Sequence, residues 1–438
     1  MRFAGRLEPG QTDDVSEVFL VASIVGLALT VNAYRPLRVF PFTTSMFFAS
    51  WLTMELAPQL LAIHVVTVPI LAATGALAEP SGWIGLALAA GTAAGLWGLV
   101  LQGMQTGDVV EHALREGLGE DYLEHIAPTR RVDHDLRVPW RQLILPFHMT
   151  HPDVERIRNV PYGPHGRRNR LDVYRHRERP QGAPVLLFIH GGGWSISNKD
   201  QQGKPIMLHF ASRGWVCFAP NYRLSPKATW PDHIVDVKRA IAWIREHGHE
   251  YGADPSFIVV TGGSAGGHLA ALAGTSGNDP RFQPGFEEAD TRVQGAIPHY
   301  GVYDFLNSAN IRAARARTGF LARRVMRSRP AAAREDWEAA SPHWQVDRAD
   351  PPFFVIHGAH DSLVPVQEAR NFVHKLREVG RVPVVYVELP GAQHAFDVFP
   401  SIRTAHVIRG AERFADWAYA RRLEQRAEPI TLEEAANP

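Results

Sequence analysis

Phe257-Ile258-Val259-Val260-Thr261-Gly262-Gly263-Ser264-Ala265-Gly266-Gly267-His268-Leu269-Ala270 joins a strand pattern to a helix pattern through a run of glycines. Its first five residues are apolar or β-branched, as in a strand buried on both faces. The residues after Ser264 are rich in Ala and Leu, which favour a helix. Between them lies Gly-x-Ser-x-Gly, which in a strand–turn–helix context is the elbow that presents a nucleophilic serine. The reason is steric. A very tight turn holds the Ser in a strained backbone conformation, and side chains two residues to either side would collide, so Gly262 and Gly266 are required. Its oxygen then stands at a helix N-terminus, where the dipole favours developing negative charge. The same pattern outside that context is only a glycine-rich turn.

Working outward, short apolar runs at 171–174, 185–190, 216–219, 257–261, 293–298, 353–357 and 384–388 read as strands. Longer amphipathic runs at 231–247, 265–275, 366–379 and 402–422 read as helices between them. This alternation predicts an α/β fold with a mostly parallel sheet flanked by helices. A Ser hydroxyl needs a base to take its proton and donors to hold the oxyanion. His190-Gly191-Gly192-Gly193-Trp194 follows the run 185–189, and its glycines free the backbone N–H groups of Gly191 and Gly192 to join that of Ala265. A phosphate loop would carry Lys and Ser/Thr after the glycines; here Trp194-Ser195-Ile196 follows. Trp194 is a candidate for the substrate pocket, and His190 reads as structural. Downstream, Asp361 and His394 each sit on a loop after a strand, in the chain order Ser, Asp, His. His357 and His360 compete as bases but lie too near Asp361 in sequence. Asp304 competes as the acid, and otherwise reads as a turn cap.

These residues resemble the hormone-sensitive-lipase-like branch of the α/β-hydrolase esterases. The resemblance covers roughly residues 165–420 and rests on His190-Gly191-Gly192-Gly193, on Gly262–Gly267, on Asn221-Tyr222-Arg223-Leu224-Ser225-Pro226 with Pro231 and Asp236, on Pro351-Pro352-Phe353-Phe354, and on the Asp361 and His394 loops. Gly263 departs from it, standing where an Asp is common. The resemblance implies a carboxylic ester hydrolase with a Ser264–His394–Asp361 triad. Acyl transfer to another acceptor would use the same residues, and a non-catalytic binding protein of this fold would usually have lost the Ser or the His. With apolar runs in front, the whole chain is also similar to actinobacterial membrane-associated carboxylesterases.

Those runs are 18–34, 57–78 and 82–106; the first and last carry no charge, and the middle one contains His64, Pro58 and Pro69. About 20 apolar residues span a bilayer, so three spans are expected and a lipid bilayer is a partner. Asp13, Asp14 and Glu17 precede the first run, where a signal peptide carries positive charge, and the later runs lack the polar stripe of soluble core helices. Residues 1–106 thus read as a membrane region, 107–155 as a connector or cap, 156–425 as the catalytic domain and 426–438 as a tail. Arg35, Arg38, Arg115, Arg130 and Arg131 follow the first and last spans, which tips the catalytic domain toward the cytoplasmic side, while Arg2 and Arg6 oppose it. The segment 312–329 carries seven arginines; it reads as a solvated helix face or as a cap helix at an anionic surface.

The formal net charge of +1 gives no footprint for nucleic acid. The one cysteine, Cys217, cannot form an internal disulfide and reads as core. The histidines show no metal-binding spacing, so neither a metal nor a cofactor is expected.

Overall fold

The computed structural model describes residues 9–37, 42–130 and 140–427. Arg2, Arg6, Arg38 and Arg131, and residues 428–438 of the tail, lie outside the described residues. Eight strands make one sheet: β1 (Val154–Pro161), β2 (Arg170–His176), β3 (Ala183–Ile189), β4 (Val216–Pro220), β5 (Ala253–Gly263), β6 (Gly295–His299), β7 (Phe353–Gly358) and β8 (Val384–Leu389). Their order is β1-β2-β4-β3-β5-β6-β7-β8. The pairings β1–β2 and β2–β4 are antiparallel and the remainder parallel. This is the α/β-hydrolase sheet that the sequence predicts. Every residue of β3, β4, β6 and β7 is buried, which is why these strands read as continuous apolar runs. Strand β1 is the one the apolar pattern does not reveal: it is an edge strand carrying Glu155, Arg156 and Arg158, with a register shift between Ile157 and Val160.

The helices are α1 (Pro9–Tyr34), α2 (Thr43–Glu55), α3 (Ala57–Leu71), α4 (Pro80–Leu118), α5 (Tyr122–His125), α6 (Trp140–Ile144), α7 (Lys204–Ser212), α8 (Asp232–His247), α9 (Ala265–Gly274), α10 (Arg315–Arg324), α11 (Arg334–Ala339), α12 (Pro342–Gln345), α13 (Gln367–Val379) and α14 (Ile402–Ala427). On one face of the sheet, α8, α9 and α13 close a core that includes Ile234, Leu269 and Phe372. On the other, α7, α14 and the end of α4 close a second, through Phe210, Phe414 and Leu114.

Among the described residues, three helices are long and apolar enough to cross a membrane: Asp14–Tyr34, Ala57–Ala76 and Pro80–Leu118. Pro58 sits in the first turn of α3, where its missing N–H costs nothing, and Pro69 lies inside the same helix. The glycines of α4 let α1 pack closely against it. A Cβ at Gly85 would lie 3.1 Å from Phe19, one at Gly91 3.6 Å from Leu27, and one at Gly95 2.5 Å from Thr30. The pairs advance together, so α1 and α4 run parallel. Helix α3 runs antiparallel to α4: its start packs near Leu99 and its end lies beyond His64, whose Nε2 is 2.8 Å from the carbonyl of Ala89. Helix α4 has 39 residues, about 58 Å at 1.5 Å each, against about 30 Å for a bilayer core. Its second half leaves the bundle and packs on α14 and β8, so that a Cβ at Gly103 would lie 3.5 Å from Ile402.

Candidate active site

Ser264 caps α9 with φ 60° and ψ −120°, a conformation that a non-glycine residue holds only where its surroundings enforce it. Those surroundings are crowded. A Cβ at Gly262 would lie 2.7 Å from the Gly266 carbonyl oxygen, and one at Gly266 would lie 2.8 Å from that of His190. The Ser264 N–H donates to the His299 carbonyl at 3.0 Å and locks the elbow onto β6. Ser264 is half-buried.

The acid and base loops meet at the ends of β7 and β8. His394 Nδ1 lies 2.6 Å from Asp361 Oδ2. The other carboxylate oxygen accepts the N–H groups of Leu363 at 2.8 Å and Val364 at 2.7 Å. Burial alone would raise the Asp361 carboxyl, but His394 and His357 beside it hold it well below the usual carboxylate range. His357, the competing base, is fully buried, with Nε2 3.0 Å from the Val364 carbonyl and 3.3 Å from Asp361. The N–H of His360 donates to the Ala392 carbonyl at 2.9 Å and ties the two loops together. Asp304 instead accepts the N–H groups of Leu306 at 3.0 Å and Ser308 at 2.6 Å, the geometry of a turn cap.

The glycine loop reaches the serine: a Cβ at Gly191 would lie 3.3 Å from that of Ser264. One expected donor is already engaged, because the Gly191 N–H donates to Gln202 Oε1 at 2.7 Å. Gly192 and Gly193 have φ of 105° and 56°, values that favour glycine. His190 stacks on Tyr222 with ring centroids 4.4 Å apart, and burial pushes its imidazole down to about 4, so it stays neutral and structural. The Trp194 indole is buried between His268 and Phe305 and donates to His268 Nδ1 at 3.2 Å. In this conformation it anchors the loop rather than lining an open pocket.

Two groups of residues escaped the sequence reading. Tyr300 packs on the His394 ring at 4.6 Å, and its hydroxyl donates to Asp397, which also sits 2.5 Å from His299 Nδ1. Although burial opposes it, His299 and Tyr300 hold the Asp397 carboxyl below its ordinary value. The Tyr300 hydroxyl would lie 2.5 Å from a Cβ at Gly263, which explains the absence of an Asp there. Gly263→Asp is therefore expected to displace Tyr300, cost about 1–3 kcal/mol through overpacking, and lower ester turnover. Comparing thermal midpoint and kcat/KM with the parent checks this, and an undisturbed variant would refute it. The second group is α2. Phe47 meets the His394 ring edge-on at 6.2 Å, Trp51 Nε1 donates to the Ala395 carbonyl at 2.8 Å, and Glu55 pairs with Arg403 at 3.2 Å in a buried site.

Over the glycine loop lies α10, whose Phe320 would be 3.9 Å from a Cβ at Gly193. Its Arg317 pairs with buried Glu368. Arg312, Arg315, Arg323, Arg324, Arg327 and Arg329 are exposed.

An elbow serine, a glycine loop and a paired acid and base on this sheet define the α/β-hydrolase class of ester hydrolases. Residues 171–376 match the family model described as BD-FAE. The chain is 43% identical over 409 residues to the "Probable carboxylic ester hydrolase LipM" of Mycobacterium tuberculosis (strain ATCC 25618 / H37Rv), covering 92% of this chain and 93% of that one. It is 48% identical over 276 residues to "Esterase LipQ" of the same organism, 63% of this chain and 65% of that one. The butyrate-bound Est2 esterase of Thermogutta terrifontis superposes with a TM-score of 0.51 at 26% identity, over 60% of this chain and 93% of that one. The chain belongs to the hormone-sensitive-lipase-like carboxylesterases of the α/β-hydrolase fold, and it is a carboxylic ester hydrolase.

Proposed function

We propose that this enzyme is a membrane-embedded serine carboxylesterase acting through Ser264, His394 and Asp361. The observation that carries the reading is the 2.6 Å contact between His394 Nδ1 and Asp361 Oδ2, on the loops that follow β7 and β8, with Tyr300 between the His394 ring and Gly263 of the elbow. Ser264 Oγ attacks the ester carbonyl carbon while His394 Nε2 takes its proton, and the C=O electron pair moves onto oxygen. The N–H groups of Gly192 and Ala265 hold that oxyanion, with Gly193 as the further donor of the loop now that Gly191 serves Gln202. Collapse expels the alcohol with the proton from His394 and leaves an acyl-Ser264. Water, activated by the same imidazole, releases the acid. Asp361 stays ionised, fixes the tautomer with Nδ1 protonated and stabilises the imidazolium.

The decisive variant is Ser264→Ala, which abolishes turnover of a p-nitrophenyl ester if this reading is right; retained activity would end it. The three apolar helices support residence in a bilayer, with the catalytic domain at one end of the bundle. Arg35, Arg115 and Arg130 belong to that end, which favours the cytoplasmic side. A membrane-impermeant fluorophosphonate then labels the enzyme in lysed cells only; labelling of intact cells would reverse the orientation.

A further inference from the structure

The catalytic base rests on the membrane bundle. About 22 residues of α4, 80–101, rise about 33 Å, one bilayer core. The next residue, Gln102, abuts Gly391, which begins the His394 loop, and Gly103 abuts Ile402, just beyond that loop. The parallel α1 and antiparallel α3 place their connection, helix α2, at this same end. Asn32 Nδ2 near the end of α1 donates to the Met46 carbonyl at 2.8 Å, fixing α2 across the end of the bundle. One side of α2 faces the site: Phe47 lies against His394, Trp51 holds the Ala395 carbonyl, and Ser50 Oγ is 3.5 Å from Gln393 Nε2.

The other side carries large exposed apolar side chains. Phe42 and Phe48 of this segment, with Ile144, Leu145 and Phe147 of the α6 segment, are 49–64% exposed. The two segments are joined through Phe399, which lies 5.2 Å from the Trp51 ring and 5.3 Å from that of Phe147. A contiguous patch of large apolar side chains is a binding surface. This one continues the apolar spans at their domain end, which on the membrane reading above is the headgroup boundary of the bilayer. Aromatic residues favour that boundary.

Resting on the serine-esterase reading above, we propose that α2 and the segment 143–147 form a collar sunk in the bilayer surface. Through it a membrane-dissolved, long-chain acyl ester reaches Ser264, with Phe47 as the wall of the acyl path beside His394. The lipid then need not cross water: its acyl chain stays in the hydrocarbon while the ester rises by the depth of the collar. A long chain left in water is disfavoured in proportion to its exposed methylene groups, so entrance from the bilayer selects for insoluble esters.

The test uses the full chain in discs of neutral phosphatidylcholine, so that the exposed arginines of α10 add no attraction to the lipid. Turnover of 4-methylumbelliferyl oleate dissolved in the disc is compared with that of water-soluble 4-methylumbelliferyl butyrate. In the triple variant Phe42→Ser, Phe48→Ser, Leu145→Ser, oleate turnover is expected to fall at least tenfold while butyrate turnover stays within twofold. Equal losses on both esters, or no loss on either, overturn the collar. A separate labelling experiment does not depend on activity. Cys217 is fully buried, so Phe48→Cys can carry an environment-sensitive fluorophore. Blue-shifted emission, quenched by nitroxide lipids, is expected in discs, and water-like, unquenched emission overturns the proposal. Failure of the serine reading shows differently, as butyrate turnover that survives Ser264→Ala.

Discussion

Ser264→Ala is expected to lower kcat/KM on a p-nitrophenyl ester by about 10⁵-fold or more, to the level that binding and the oxyanion donors alone sustain. The size of the effect follows from what is removed. The rest of the site survives, because Ser264 is held by its backbone: its N–H bonds the His299 carbonyl and its own carbonyl accepts the His268 N–H at 2.9 Å. Alanine keeps both bonds and the same Cβ. The positive φ of 60° is no easier for Ala than for Ser, so the thermal midpoint is expected to move little. Large loss of turnover with an unchanged midpoint separates a chemical role from a folding role. Comparable loss of both would mean that the hydroxyl serves the structure.

Asp361→Asn is the second large effect, a fall of about 10⁴-fold in kcat/KM. Asn keeps an oxygen for the N–H groups of Leu363 and Val364, which Asp361 Oδ1 now accepts. It presents an amide N–H to His394 Nδ1, 2.6 Å away in the parent. That drives the imidazole proton to Nε2, the nitrogen that must accept from Ser264. The pH dependence has a definite sign. The Asp361 carboxyl is held well below its ordinary value, so its contribution to stability is complete above the unfolded-state pKa and fades as pH falls toward the lower folded value. The parent therefore begins to lose this contribution as pH falls through the ordinary carboxylate range and loses it completely only in strong acid, whereas the Asn variant lacks it at every pH. Thermal midpoints of the two proteins between pH 3 and 8 check this: their difference is expected to shrink toward the acid end. A gap that widens on acidification would contradict the assignment.

Much of this was legible in the residues because it is local. The elbow announces itself through Gly262 and Gly266, whose absent side chains leave room for carbonyl oxygens. Seven strands are legible because burial on both faces makes them uniformly apolar, while β1, a charged edge strand, leaves no such mark. What escaped is long-range. Trp51 and Ala395 are 344 residues apart, and nothing in either segment marks the other. The same holds for Tyr300 and Asp397, which together account for Gly263. That departure from the family pattern is visible in the sequence, but its cause is visible only once β6 and the His394 loop stand side by side. Gln202 is a similar case: a polar residue on a loop gives no sign that it takes the Gly191 N–H.

Covalent capture locates the nucleophile directly. The enzyme, treated with a fluorophosphonate, digested and sequenced by mass spectrometry, is expected to carry the phosphonyl group on Ser264 alone. Labelling should be abolished in Ser264→Ala and slowed in Asp361→Asn. A stoichiometric adduct on any other residue, or labelling of the parent that leaves Ser264 unmodified, would contradict the account.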